Sequence, residues 1–195
     1  MTIADMPTLP DTITAYFTGG IWLAVEPCGT TLEALLKREA GTRVTMIDPN
    51  VRPTFVQDRA AYTARIDRMI GLSDIVKLSD EDSEWLYGST EPQAILAKGA
   101  KVVLVTEGAK GATAYTARGS VQVEAPKITV ADTVGAGDTF NAGFLASLDR
   151  DGLLSKGQVT NLSDDALRAA LSLGTRAAAI TCSRPGANPP WAKEL

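Results

Sequence analysis

The run Asp132-Thr133-Val134-Gly135-Ala136-Gly137-Asp138-Thr139-Phe140-Asn141-Ala142-Gly143-Phe144 restricts the backbone more than any other stretch of the chain. A turn of small residues, Gly135-Ala136-Gly137, leads directly into an apolar helical pattern from Asp138 to about Leu148. Glycine at two of three positions lets consecutive backbone N–H groups converge on one point. The positive end of the following helix adds to that field. Such a turn suits an anion, and Asp138 places a carboxylate beside it. The alternative is that Asp138 only caps the helix. A cap alone does not call for Gly-Ala-Gly before it or the small Ala142-Gly143 pair after it.

Upstream, short apolar runs alternate with helical patterns. Phe17 to Val25 reads as a strand end and turn at Gly19-Gly20, and Thr31 to Ala40 as a helix capped by Gly41. Arg43 to Asp48 reads as a buried strand that Pro49 and Pro53 force into a loop, Asp48-Pro49-Asn50-Val51-Arg52-Pro53. Asp58 to Ile70 is an amphipathic helix broken by Gly71, and Asp74 to Leu78 is the next strand. Ser79 then caps a short acidic helix, Asp80 to Tyr87, with Asp82 at capping-box distance. Pro92 to Lys98 is helical, and Lys101 to Val105 is the most strand-like run. It opens into Thr106-Glu107-Gly108-Ala109-Lys110-Gly111, followed by short strands at Ala112 to Thr116 and Val121 to Glu124. Asp149 to Asn161 is polar, and Ser163 caps a last long helix, Asp164 to about Ile180. Strand ends that open into loops are where α/β sheets bind ligands. Read without analogy, the loop at 48–53 is equally a proline turn and the one at 106–111 a hairpin connection.

Composition narrows the chemistry. The 195 residues are 45% hydrophobic, with net charge −4 and no basic run, which argues against nucleic acid. No apolar run approaches a membrane span and no signal peptide is evident, so neither membrane nor export is expected. Cys28 and Cys182 stand far apart in sequence, which suits a reducing cytoplasm. Histidine is absent, which removes the commonest general base and metal ligand. Phosphoryl transfer survives that loss, because it needs positioning and charge neutralisation more than a strong base.

The stretch from Asp132 to Leu145 closely resembles the second signature of the ribokinase-like (PfkB) carbohydrate kinases, matching at Asp132, Thr133, Gly135-Ala136-Gly137, Asp138 and Ala142-Gly143-Phe144-Leu145. The loop from Asp48 to Pro53 resembles the corresponding loop of the fructokinase and 2-keto-3-deoxygluconate kinase branch. The resemblance runs from about Asp11 to Pro190. It implies an α/β, ribokinase-like fold with a mainly parallel, doubly wound sheet flanked by helices. Its first signature, its N-terminal βαβ units and its β lid have no counterpart here, so residues 16–195 are expected to form one partial domain behind a lead-in at 1–15. An exposed sheet edge and association, including homo-oligomers, follow as expectations.

The same resemblance implies ATP-dependent transfer of the γ-phosphoryl group to a sugar hydroxyl, fructose first and 2-keto-3-deoxygluconate second. A truncated nucleotide-binding remnant without kinase activity is the other reading. By analogy Asp138 is the base, and Gly135, Ala136 and Gly137 form the anion hole. Asn50 and Arg52 face sugar and phosphate, while Lys77, Thr106, Gly108, Lys110, Gly111 and Thr175 lie along the nucleotide. Asp82 helps hold Mg2+, although Ser79 and Asp82 depart from the Asn and Glu usual there. Asp132, Val134, Thr181, Arg184 and Gly186 fall where some members bind K+.

Overall fold

The computed structural model describes residues 2–89 and 91–195. Six strands form one sheet in chain order: β1 (Ala15–Gly19), β2 (Val44–Asp48), β3 (Ile75–Ser79), β4 (Val102–Thr106), β5 (Ala112–Thr116) and β6 (Gly119–Val123). β1 to β4 run parallel because helices carry the chain back between them; β5 and β6 run antiparallel because only short turns do. The crossovers contain α1 (Cys28–Glu39), α2 (Arg59–Ile70), α3 (Asp80–Tyr87) and α4 (Pro92–Ala97). After the hairpin come α5 (Ala136–Arg150), α6 (Lys156–Val159) and α7 (Asp164–Cys182).

Side chains alternate across the sheet, so it separates two cores. Ile47, Val76, Leu78, Val103 and Val105 pack with Leu36, Ile66, Met69 and Ile70 from the crossover helices. Val44, Met46, Ile75, Val102 and Leu104 pack on the other face, against Phe140, Phe144 and Leu148 of α5 and Leu167 and Leu171 of α7. The same alternation puts Asp48 and Lys77 on the α5 face, where the apolar core gives way to polar groups.

α5 and α7 touch at backbone distance. A Cβ on Gly143 would lie 2.9 Å from Gly174 Cα, and one on Gly174 would lie 2.9 Å from the Phe140 carbonyl oxygen. The contact between the two helices is thus glycine on glycine.

Three local expectations need correction. α1 starts at Cys28, one turn before Thr31. Its C-cap is Ala40 in a right-handed conformation, not a left-handed Gly41, because Thr42 and Arg43 N–H groups both close on the Glu39 carbonyl. The polar stretch after α5 contains the short α6, anchored by buried Val159. The capping box at Ser79 and Asp82 and the Ser163 cap on α7 form as expected. Residues 7–10 lie along α1, where Arg38 and Arg43 donate to the carbonyls of Pro7, Leu9 and Pro10.

β1 is an edge strand, with Ile13, Phe17 and Trp22 exposed beside it. No helix among the described residues is long and apolar enough to cross a membrane.

Gly143→Ala tests the glycine contact. The new methyl meets main-chain atoms that cannot rotate away, so urea unfolding should show a loss of about 1–3 kcal/mol.

Candidate active site

The polar groups gather where β2, β3 and β4 end and α5 begins. Gly135 takes a left-handed φ of 79° and forms the N-cap, so α5 starts at Ala136 rather than Asp138. Asp138 therefore sits inside the first helical turn. The Gly135 carbonyl accepts from Thr139 N–H at 2.9 Å and from Thr139 Oγ1 at 2.8 Å, which fixes the turn. Ala136 N–H donates to the Thr133 carbonyl at 3.2 Å. Gly137 and Asp138 N–H groups have no acceptor among the described residues, as the open end of a helix leaves them.

Two cavities meet at this tip. The larger, about 670 Å³, is lined by Asn50, Arg52, Lys77, Asp82, Thr106, Gly108, Gly111, Ala136, Gly137 and Thr175, as well as by residues not expected there, such as Glu81 and Ile128. The smaller, about 250 Å³, is lined by Asp138 with Asp48, Asn50, Gly19, Phe17 and Trp22. Of the residues assigned to catalysis, substrate and nucleotide, two line neither cavity. Gly135 turns the chain against Ala187 and lines neither cavity. Lys110 points outward, its side chain 75% exposed and 4.0 Å from Glu107, because the short helical turn at Gly108–Lys110 carries it away from the cavity.

Asn50 borders both cavities and is the one non-glycine residue with positive φ, 42°, among the described residues. Asparagine tolerates that conformation better than most side chains. Asp48 Oδ1 accepts its N–H at 3.1 Å and holds the turn. Arg52 folds back on the loop, donating to Asn50 Oδ1 at 2.7 Å and to the Val51 carbonyl at 3.0 Å. Asp82 is buried, and its two oxygens accept Val51 N–H at 2.7 Å and Ser79 N–H at 3.0 Å. It ties the start of α3 to the loop carrying Asn50 and Arg52. Thr175 Oγ1 donates within α7, to the carbonyls of Leu171 and Ser172.

Beneath the tip lies a buried ionic cluster. Lys77 Nζ stands 3.1 Å from Asp48 Oδ2, with side chains 4% and 1% exposed. Asn141, on α5, donates to the same oxygen at 2.7 Å. Burial pushes the Asp48 carboxyl above the usual carboxylate range, and Lys77 and Asn141 oppose that rise. Neither Asp48 nor Asn141 is among the site residues expected from the sequence. The signal available was a carboxylate ending an apolar strand and an amide in the buried stripe of a helix. Burial also raises the Tyr62 phenol to about 12, helped by Asp82 and Asp48.

The loop before α5 meets the end of α7. Asp132 Oδ1 accepts Val134 N–H and Oδ2 accepts Gly186 N–H, both at 3.0 Å, holding its carboxyl below the usual range. The Cys182 carbonyl accepts Ala131 N–H at 2.8 Å. Thr181 Oγ1 bonds Thr139 Oγ1 and the Ala177 carbonyl, and Arg184 pairs with Glu194. No group of three or more Cys, Asp or Glu among the described residues is set like a metal site.

The family profile of pfkB family carbohydrate kinases matches residues 11–194. The chain belongs to that family. It is 51% identical over 172 residues to a fructokinase of Rhizobium leguminosarum bv. trifolii, covering 86% of this chain and 53% of the relative. Among solved structures it resembles a Vibrio cholerae O395 fructokinase in a fructose-, ADP- and calcium-bound form, with a TM-score of 0.81 and 26% identity over 96% of this chain and 60% of the other. A double mutant of the same fructokinase, in a fructose-, ADP- and potassium-bound form, gives a TM-score of 0.83 at 26% identity, over 96% and 59% of the two chains. The chain thus spans little more than half the length of these relatives. Its mostly parallel six-stranded sheet with flanking helices is the ribokinase-like fold of these kinases.

Asp82 provides a check on the loop architecture. Asp82→Ala leaves the N–H groups of Val51 and Ser79 without their acceptor, and chemical denaturation should report a loss of about 1–3 kcal/mol.

Proposed function

We propose that this chain carries the nucleotide and phosphoryl-transfer part of an ATP-dependent sugar kinase, acting on a hydroxyl of fructose or a fructose-like sugar. One observation carries the reading. Asp138 lines the smaller cavity while its neighbours Ala136 and Gly137 line the larger, so the tip of α5 is the wall between the two. A donor in one cavity and an acceptor in the other would meet across it. The names of the relatives favour fructose over 2-keto-3-deoxygluconate.

In this mechanism ATP lies in the larger cavity along Thr106, Gly108, Gly111 and Thr175, with its terminal phosphate at Gly137. The open N–H groups of α5 and its dipole stabilise the charge that spreads over the transferring group. Lys77 and Arg52 supply fixed positive charge. Asp138 orients the sugar hydroxyl and accepts its proton as the new bond to phosphorus forms and the bond from that phosphorus to the bridging oxygen breaks, leaving ADP.

The donor set suits a hydrated Mg2+ that arrives on the phosphates, since such an ion needs only one or two protein carboxylates. Asp82 and Glu81, both on the cavity wall, would hold it. When bound it neutralises phosphate charge. For K+, the joined segments of Asp132 to Val134 and Thr181 to Gly186 would supply main-chain oxygens, a reading supported by the potassium-bound form of the Vibrio fructokinase. The cytoplasm, where ATP is made available, completes the assignment. Association through β1 is supported by exposed Ile13, Phe17 and Trp22.

A second reading is favoured by the exposure of Phe17 and Trp22 on the smaller cavity's own wall: nucleotide binding without turnover. Calorimetry with ATP, beside a coupled ADP-release assay with fructose, separates the two. Sugar-dependent ADP release supports the kinase, whereas heat without release supports the second reading. In an active chain Asp138→Asn should lower kcat by about 10²–10⁴ with little change in ATP binding. An unchanged rate removes Asp138 from the base role.

A further inference from the structure

The buried cluster under the tip of α5 contains two residues that the proposed mechanism leaves without a role, Asp48 and Asn141. Lys77 has three N–H donors and one partner among the described residues, the Asp48 carboxylate. A Cβ built on Gly137 would lie 3.3 Å from Lys77 Nζ, so the ammonium sits directly beneath the turn. Lys77 and Gly137 both line the larger cavity. Asp48 is in turn held from two sides, by Asn50 N–H on Oδ1 and by Asn141 Nδ2 on Oδ2. The Asn141 amide must present Nδ2 to the carboxylate, since the reverse orientation would set oxygen against oxygen. Its Oδ1 is then buried and without a partner. A helix that accepts an orphaned buried oxygen to keep that one hydrogen bond uses the bond for placement.

We infer that Asp48 and Asn141 are positioning residues for Lys77: they hold its ammonium under the Gly137 turn as the counter-charge for the terminal phosphate of a nucleotide. The chain of contacts runs Asn141 to Asp48 to Lys77 to the turn. It links α5, β2 and β3 at the point where the two cavities meet. The inference rests on the phosphate reading above and extends it to Asn141, which lines neither cavity, and to Asp48, whose place on the wall of the smaller cavity is away from the nucleotide.

The sign of one effect distinguishes positioning from simple electrostatics. Asp48 is an anion near a phosphate site. If its charge were all that mattered, removing it would strengthen phosphate binding. If it positions Lys77, removing it weakens phosphate binding, because the ammonium loses the hydrogen bond that aims it. The experiment is calorimetric titration of the full chain with ATP and, separately, with adenosine, which has no phosphate. Asp48→Asn should weaken ATP binding by about tenfold, the scale of one hydrogen bond to a charged group. Adenosine binding should stay as in the wild type, which a general loss of structure would not allow.

Asn141→Ala covers the case in which Asp48→Asn does not fold. It leaves every charge in place, removes the orphaned oxygen with the amide, and should still weaken ATP binding several-fold with adenosine unaffected. ATP binding that is unchanged or stronger in the folded variants, in a wild-type chain that binds ATP, overturns this inference alone. A parallel loss of ATP and adenosine affinity also overturns it. A wild-type chain that binds no ATP overturns the phosphate reading and this inference with it.

Discussion

The seating of α5 over the ends of β2 and β3 governs the rest of the structure. Two contacts of different character set it. Gly143 meets Gly174 at backbone distance, which fixes how deeply α5 lies against α7. Asn141 meets Asp48, which fixes how α5 sits over the sheet. Steric contact and a charge-assisted hydrogen bond are both short-ranged, so together they leave the helix little room to slide or rotate. The first turn of α5, with Gly137 and Asp138, inherits that placement.

The site concentrates main-chain polarity at one point and sets charge around it. Histidine is absent from the chain, and Asp138 stands on a cavity wall. Asp48, on the same face of the sheet as Lys77, lines the same cavity but is buried and keeps company with a cation and an amide. Two aspartates on the wall of one cavity thus have different environments, one exposed and one buried beside a lysine.

Much of this was legible in residue order. Each crossover helix and each parallel strand appears as an apolar pattern of the right period, and Ser79 and Ser163 announce their helices because capping depends on neighbours a few positions away. The glycine turn and Asp138 were visible for the same reason, as was the proline-stopped loop that carries Asn50 and Arg52. Errors were local too. Gly41 carries no left-handed cap, since two later amides reach the Glu39 carbonyl, and Lys110 turns outward on a short helical turn.

By itself, then, the order of residues determined the strands, the helices, the anion-suited turn and the carboxylate beside it, all of which are set by interactions within a few residues. Only the tertiary structure decided that Asp48, Lys77 and Asn141 share one buried cluster, that Asn50 borders two cavities, and that Asp138 lines one while Ala136 and Gly137 line the other. Asp48 and Asn141 are 93 positions apart. No local pattern encodes such a pairing. It exists because strand register and helix packing bring those side chains to the same few ångströms, out of water, where each needs the other.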